Sequence, residues 1–304
     1  MNNLKCEVPS RSISPLVTVV DGVGMLHACI YWPKEGKVID LVNSVEKFIM
    51  KCLAESDVYL IFDRYVDNSI KSDTRLNRIG KFKRSHQLHI NSDLPPKDIC
   101  MASEKTKTNI IELLTEHLLE KAAYSKVENK LMITSKDKYP EECKLGIRIK
   151  RKDLETVYDE ADYIIPQQVN AAIFEGSEVV KVMSADTDVF VLLCSFYKSL
   201  NWSQSEVYMA SFGESKSIIS ISKTVEEQPI ISSLIGVHAL SGCDSVPALF
   251  GIGKTKALGV SKKMELNFIG QSDSKIEDVL LEGRQFVAGC YGLKGTDSSV
   301  NRLV

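Results

Sequence analysis

Close cysteine pairs, long apolar runs and a surplus of positive charge are all missing from this 304-residue sequence. Its eight cysteines (Cys6, Cys29, Cys52, Cys100, Cys143, Cys194, Cys243 and Cys290) are scattered, with no CxxC and no close Cys/His pair. That spacing speaks against a zinc module and reads as small buried hydrophobes of a reducing compartment. The longest apolar stretches, such as Val189–Cys194, fall far short of the roughly 20 residues a membrane helix needs. Lys and Arg number 38 against 40 Asp and Glu, a net charge of −2, so a generally basic nucleic-acid coat is excluded. Any polyanion has to be met by a local patch. Asp21 interrupts the first apolar run, Leu16–Val20, so the expectation is a soluble, unexported, intracellular chain with no membrane partner.

What is present is ordinary globular composition, 44% apolar and 26% charged, without internal repeat, low-complexity tract or proline-rich linker. The simplest division is a single domain over 1–304 with one long insertion. Leu16–Val20, Val58–Phe62 and Val179–Met183 are short runs rich in β-branched residues, each read as a strand. Val38–Leu53 carries apolar residues at helical spacing (Val38, Leu41, Val42, Val45, Phe48, Ile49, Cys52), and Lys105–Ala123 and Glu155–Glu175 read as further amphipathic helices. Glu206–Ser222 reads as two strands. Strands alternating with helices predict an α/β fold on a parallel sheet, whose sites form at the carboxyl ends of the strands.

Acids stand at those ends. Asp21 closes the first run, Asp63 the second, and Asp186 with Asp188 follows the third; Glu160 and Asp162 mark a helix start, and Asp244 follows Gly242-Cys243. Any one of them is explained as a helix cap or a solvated turn. Converging on one sheet edge, they would repel one another and call for a cation, and all-oxygen ligands select Mg²⁺ or Mn²⁺.

In order, the segments Val17–Gly24 (VTVVDGVG), Tyr59–Tyr65 (YLIFDRY), Asp159–Ile165 (DEADYII), Ser184–Leu193 (SADTDVFVLL) and Ala239–Leu258 (ALSGCDSVPALFGIGKTKAL) resemble the flap endonuclease-like 5′ nucleases. The resemblance runs from about Leu16 to Leu258 and points to a divergent animal branch of that superfamily. It implies a PIN-like parallel α/β core with a helical arch insertion over 64–125 and a helix–two-turn–helix element over 230–262. It also implies a two-metal hydrolysis of phosphodiester bonds, with the ions roughly 4 Å apart. Asp21, Asp63, Glu160 and Asp186 would be the inner acids; Glu160, Asp162, Asp188 and Asp244 would share the second ion and its waters. The implied substrate is branched, flap or 5′-ended DNA, or RNA, recognised by shape.

Two basic features fit that resemblance. Residues Arg64–His89 carry Arg64, Lys71, Arg75, Arg78, Lys81, Lys83 and Arg84 against Asp67 and Asp73, a local charge of +5. Lys71 with Arg75 or Arg78 stands where the family places cations near the reacting phosphate. Lys81, Lys83 and Arg84 would track the nucleic acid, or serve as a weak nuclear-import signal, which gives the expectation of a nuclear location. Gly251 and Gly253 would let a hairpin approach duplex phosphates, with Lys254 and Lys256 as phosphate partners and a K⁺ ion on the loop carbonyls.

The chain departs from the family at three points. His27 stands where members usually stack a Tyr on a base, the start is Met-Asn-Asn-Leu, and no sliding-clamp motif is visible before Val304, as in a truncated or divergent chain. Two rivals stay open. One is a catalytically inactive nucleic-acid-binding scaffold of the same fold. The other is a DEAD-type ATPase, since Asp159–Asp162 spells DEAD and Ala248–Thr255 fits a phosphate loop. In helicases that loop precedes the DEAD segment and follows a strand, whereas here it comes roughly ninety residues later.

Overall fold

The parallel strands of this chain are nearly continuous apolar runs, as strands covered on both faces must be. A computed structural model describes residues 1, 4–9, 14–64, 85–213, 218–243, 246–271 and 273–293. The strands are β1 (Cys6–Val8), β2 (Val17–Asp21), β3 (Asp57–Ile61), β4 (Leu131–Thr134), β5 (Glu141–Lys144), β6 (Ile147–Lys150), β7 (Val179–Met183), β8 (Glu206–Ala210) and β9 (Ile218–Ser220). They form one sheet in the order β1-β9-β8-β7-β2-β3-β4-β5-β6.

Its centre, β8-β7-β2-β3-β4, is parallel throughout. Beyond β4 the sheet turns antiparallel through β5 and β6, so it is mixed rather than wholly parallel. The β5–β6 hairpin turns on Leu145 (φ 49°) and Gly146 (φ 84°), the two positive dihedrals that a tight hairpin loop demands.

The helices are α1 (Gly22–Ala28), α2 (Val38–Leu53), α3 (Lys97–Ala102), α4 (Glu104–Ser125), α5 (Ala161–Phe174), α6 (Thr187–Ser199), α7 (Ile221–Glu227), α8 (Leu234–Leu240), α9 (Lys254–Ser261) and α10 (Ile276–Cys290). Among these described helices none is long and apolar enough to cross a membrane.

The chain divides into two compact units. The first comprises Glu7–Val189 and Gln204–Ile219; the second comprises Met1–Cys6, Phe190–Ser203 and Ser220–Val304. In the first, Val38, Leu41, Val45 and Ile49 of α2 share a core with Ile110, Leu114 and Leu118 of α4 and with Val20, Leu60 and Ile133 from the sheet. Val19 is equally buried but lies outside that cluster, as the strand's alternation of faces requires. Helix α5 runs against β2, β3 and β7.

In the second unit, Trp202 stacks on Phe196 (centroids 6.4 Å apart) and meets Tyr197 edge-on. The buried Glu282 carboxylate accepts the N–H groups of Asn267 (2.5 Å), Phe268 (3.0 Å) and Ile269 (2.8 Å), which ties the preceding loop to α10.

Candidate functional site

Strand register decides which acids meet. Asp21, the last residue of β2, is the partner of Ile61 in β3, and Val20 is the partner of Met183 in β7. Asp63 lies just past Ile61, and Ser184 and Asp186 just past Met183, so all stand at one carboxyl edge of three adjacent parallel strands. A helix starts beside each acid, and each acid accepts a backbone N–H there. Asp21 Oδ1 takes Gly24 N–H at 2.8 Å, Asp63 Oδ1 takes Ala161 N–H at 3.0 Å, and Asp186 Oδ1 takes Asp188 N–H at 2.8 Å. The cap role expected of single acids is therefore real, and it fixes where each carboxylate sits.

Ser184 links two of these acids. Its hydroxyl donates to Asp21 Oδ2 at 3.0 Å and accepts the N–H of Asp186 at 3.1 Å. Two glycines make the turn after β2 possible. A side chain at Gly22 would run into the Phe62 ring, and a Cβ at Gly24 would lie 2.5 Å from Asp21 Oδ2.

The carboxyl of Asp21 titrates above the usual range. Burial is the main cause, the bonds from Gly24 and Ser184 pull it back, and the charges of Asp63 and Asp186 push it up again. These acids are thus electrostatically coupled at the sheet edge.

Glu160 occupies the cap position of α5 with extended dihedrals (φ −104°, ψ 135°), and Asp162 lies in the first turn of that helix. The helix expected from Glu155 thus begins at Ala161, because 155–160 runs extended after a short 3₁₀ turn at Lys152–Leu154. Asp188 lies in the first turn of α6. Asp244, Lys71, Arg75, Arg78, Lys81, Lys83 and Arg84 lie outside the described residues.

The oxygen donors at this edge suit a hard divalent cation in kind, and such an ion would offset both the burial of Asp21 and the smaller effect of the Asp63 and Asp186 charges on it. Among the described residues no group of three or more His, Cys, Asp or Glu side chains stands close enough to enclose a metal.

Arg64 organises the rim. Its Nη1 donates to the carbonyl oxygens of Thr156 and Tyr158, both at 3.0 Å, and its backbone N–H donates to Asp159 O at 2.6 Å. His27 is exposed in the last turn of α1, where Lys97 Nζ donates to its carbonyl at 2.8 Å. Partial burial, then the charges of Lys97 and Lys107, lower the His27 pKa. Lys97 and Lys107 thus lie close to His27, two cations that the sequence did not single out.

In the second unit, Gly251 has a left-handed φ of 69°, whereas Gly253 has an ordinary φ of −86° as the cap of α9. Lys254 Nζ donates to His238 O at 2.8 Å and to the carbonyl of Gly242, closing the carboxyl end of α8. It does so as a helix cap, a different use from the phosphate contact expected of it. Lys256 lines an open cavity of about 550 Å³ with Lys263, Gly259 and Gly289. The described approach to Gly251 follows the helix α8 and contains no strand, unlike a nucleotide phosphate loop.

The orienting roles of Ser184 and Gly24 went unnoticed in the sequence, and Arg64 counted there only as one charge of a basic segment. Ser184 and Gly24 sit beside acids that drew attention for themselves, and only register shows that Ser184 reaches Asp21.

No family model matches the chain, and no curated protein matches it. Two solved structures are similar over nearly its whole length. One is a substituted D15 flap endonuclease of bacteriophage T5 in a pseudo-enzyme–product complex with DNA and metal ions (13% identity, TM-score 0.42, covering 95% of this chain and 92% of that one). The other is human GEN1 in complex with Holliday junction DNA (10% identity, TM-score 0.39, covering 99% and 56%). No residue role is carried from either onto this chain. The chain is thus similar in structure, at low identity, to a flap endonuclease and to human GEN1.

Proposed function

We propose that this chain is a Mg²⁺- or Mn²⁺-dependent phosphodiesterase acting on branched or 5′-ended DNA, or on RNA of similar shape. The observation that carries the reading is the coupling of Asp21, Asp63 and Asp186 at the carboxyl ends of β2, β3 and β7. Three carboxylates each held by a helix start stand at one sheet edge, and burial above all, then the charges of Asp63 and Asp186, raises the pKa of Asp21.

In this reading Asp21, Asp63, Glu160 and Asp186 hold one ion, and Glu160, Asp162, Asp188 and Asp244 hold the second. The bound ions would lower the pKa of water and neutralise charge on the phosphate. The chain's own contribution is positional. Ser184 orients Asp21, Ala161 N–H orients Asp63, and the start of α6 orients Asp186. His27, Lys97 and Lys107 would receive phosphates beside the edge. Lys71, Arg75 and Arg78 would stabilise developing charge, and Lys81, Lys83 and Arg84 would guide a single strand through a PIN-like arch. Gly251, Gly253 and Lys256 would contact duplex backbone, with a K⁺ ion on the loop, while Lys254 braces that turn.

The test is cleavage of a labelled 5′-flap duplex in Mg²⁺ or Mn²⁺ by the wild type and by Asp186→Ala, with ATP hydrolysis followed in the same tubes. Cutting by the wild type alone, with no ATP consumed, supports the nuclease. Tight binding without cutting in either metal indicates the inactive scaffold, and ATP turnover indicates the phosphate-loop reading.

A further inference from the structure

Beside the acidic edge, Tyr158 and Tyr163 stack on each other with ring centroids 5.5 Å apart and planes 21° from parallel. Both rings stay in water, with the residues 44% and 46% exposed. They bracket Glu160 and Asp162 in sequence, on the segment that enters α5.

We propose that this pair is a stacking platform for an unpaired nucleobase of the strand that lies along the edge, a proposal that rests on the nuclease reading and names the part of the substrate it holds. A stacked aromatic pair left half exposed keeps ring surface in water, and exposed aromatic rings are surfaces on which a nucleobase stacks.

The platform is also rigid. Arg64 donates to the carbonyls of Thr156 and Tyr158, the Tyr158 N–H donates to Thr156 Oγ1 at 3.3 Å, and Asp63 accepts the N–H of Ala161. One short stretch, Asp63-Arg64, therefore fixes both an acid of the edge and the segment that carries Tyr158. The rings offer a nucleic acid a surface for stacking and no charge for its phosphates, so the base face is the part they would hold. A base in a duplex hides that face between its neighbours, so the ligand is an unpaired base. Stacking of this kind is tolerant of base identity.

The test is the affinity of a fluorescein-labelled single-stranded oligonucleotide, and of an abasic strand of equal length and charge, measured by anisotropy in Ca²⁺. The wild type is expected to bind the base-bearing strand roughly tenfold more tightly than the abasic one. Tyr163→Ala and Tyr158→Ala should abolish that preference, and Tyr163→Phe, which keeps the ring and serves as the folding control, should retain it. Equal binding of the two strands by the wild type, no binding of either, or a preference that survives both alanine substitutions overturns the platform. Binding is read apart from cutting, so the two proposals fail separately. A protein that prefers bases through these rings but cuts nothing removes the nuclease reading alone, and one that cuts without any base preference removes the platform alone.

Discussion

The hydroxyl of Ser184 donates to Oδ2 of Asp21 across 3.0 Å, joining the end of β7 to the end of β2. The same oxygen accepts the N–H of Asp186. One small side chain thus sets the orientation of two acids.

Ser184→Ala should therefore disturb the edge without disturbing the fold. Loss of one hydrogen bond costs about 1 kcal/mol of stability. Catalysis should fall further, by roughly 10- to 100-fold, the range found when a group that orients metal-binding side chains is removed. Thermal unfolding beside single-turnover cleavage checks both, and an unchanged rate would show that Ser184 merely fills space.

Gly24→Ala carries a sharper geometric expectation. The new methyl would sit 2.5 Å from Asp21 Oδ2 and 3.1 Å from the Phe212 ring, so the carboxylate has to move. Cleavage should drop by at least as much as in Ser184→Ala, with circular dichroism unchanged. Full activity in a folded Gly24→Ala protein would mean that the position of Asp21 is immaterial.

Gln168 is fully buried on α5, and among the described residues neither its amide oxygen nor its amide nitrogen has a hydrogen-bond partner. An interior amide left so costs about 1–3 kcal/mol. Gln168→Met, close in volume, should stabilise the protein by about 1 kcal/mol and raise the unfolding midpoint. A fall in the midpoint would point to a water or partner that the amide requires.

Glu46 on α2 takes hydrogen bonds or ion pairs from His117 at 2.7 Å and Lys121 at 3.0 Å, both on α4. Burial alone would raise its pKa, but the hydrogen bonds from His117 and Lys121 and the charge of Lys121 outweigh it and hold the carboxyl below its ordinary value of 4.5. A carboxyl depressed in the folded state stabilises the protein above its unfolded pKa, and that contribution is lost as pH falls through the folded value. Wild-type stability should therefore decline below about pH 4.5 more steeply than that of Glu46→Gln, as read from unfolding midpoints across an acid series. Parallel curves for the two proteins would remove Glu46 from the acid response.

Much of this architecture is legible in the residues. The strands ending near Asp21, Asp63 and Asp186 and the helix Val38–Leu53 follow from β-branched runs and helical spacing. The antiparallel flank was not legible. β6 alternates exposed Ile147 and Ile149 with ion-paired Arg148 and Lys150, and its turn uses Leu145 where Asn would announce a hairpin. The helix expected at Lys105–Ala123 is present as α4, but α3 was not foreseen, and α4, within a stretch read as insertion, packs into the core through Ile110 and Leu114. At the site, the acids stood out by type and place. The groups that orient them did not, since a serine after a strand and a glycine after an aspartate mean little until register brings the strands together. Lys254 shows the converse, a residue whose chemistry suggested phosphate and whose ammonium caps a helix.

The central claim is that the acids at the ends of β2, β3 and β7 act as one metal-dependent hydrolytic centre. Single-turnover cleavage of a 5′-flap duplex across an Mn²⁺ titration, with Asp21→Asn, Asp63→Asn and Asp186→Asn beside the wild type, addresses it most directly. Metal-dependent cutting by the wild type, with each variant slowed by on the order of a thousandfold while still binding the duplex, is the expected result. Cutting that persists in all three variants, or that needs no divalent ion, contradicts it.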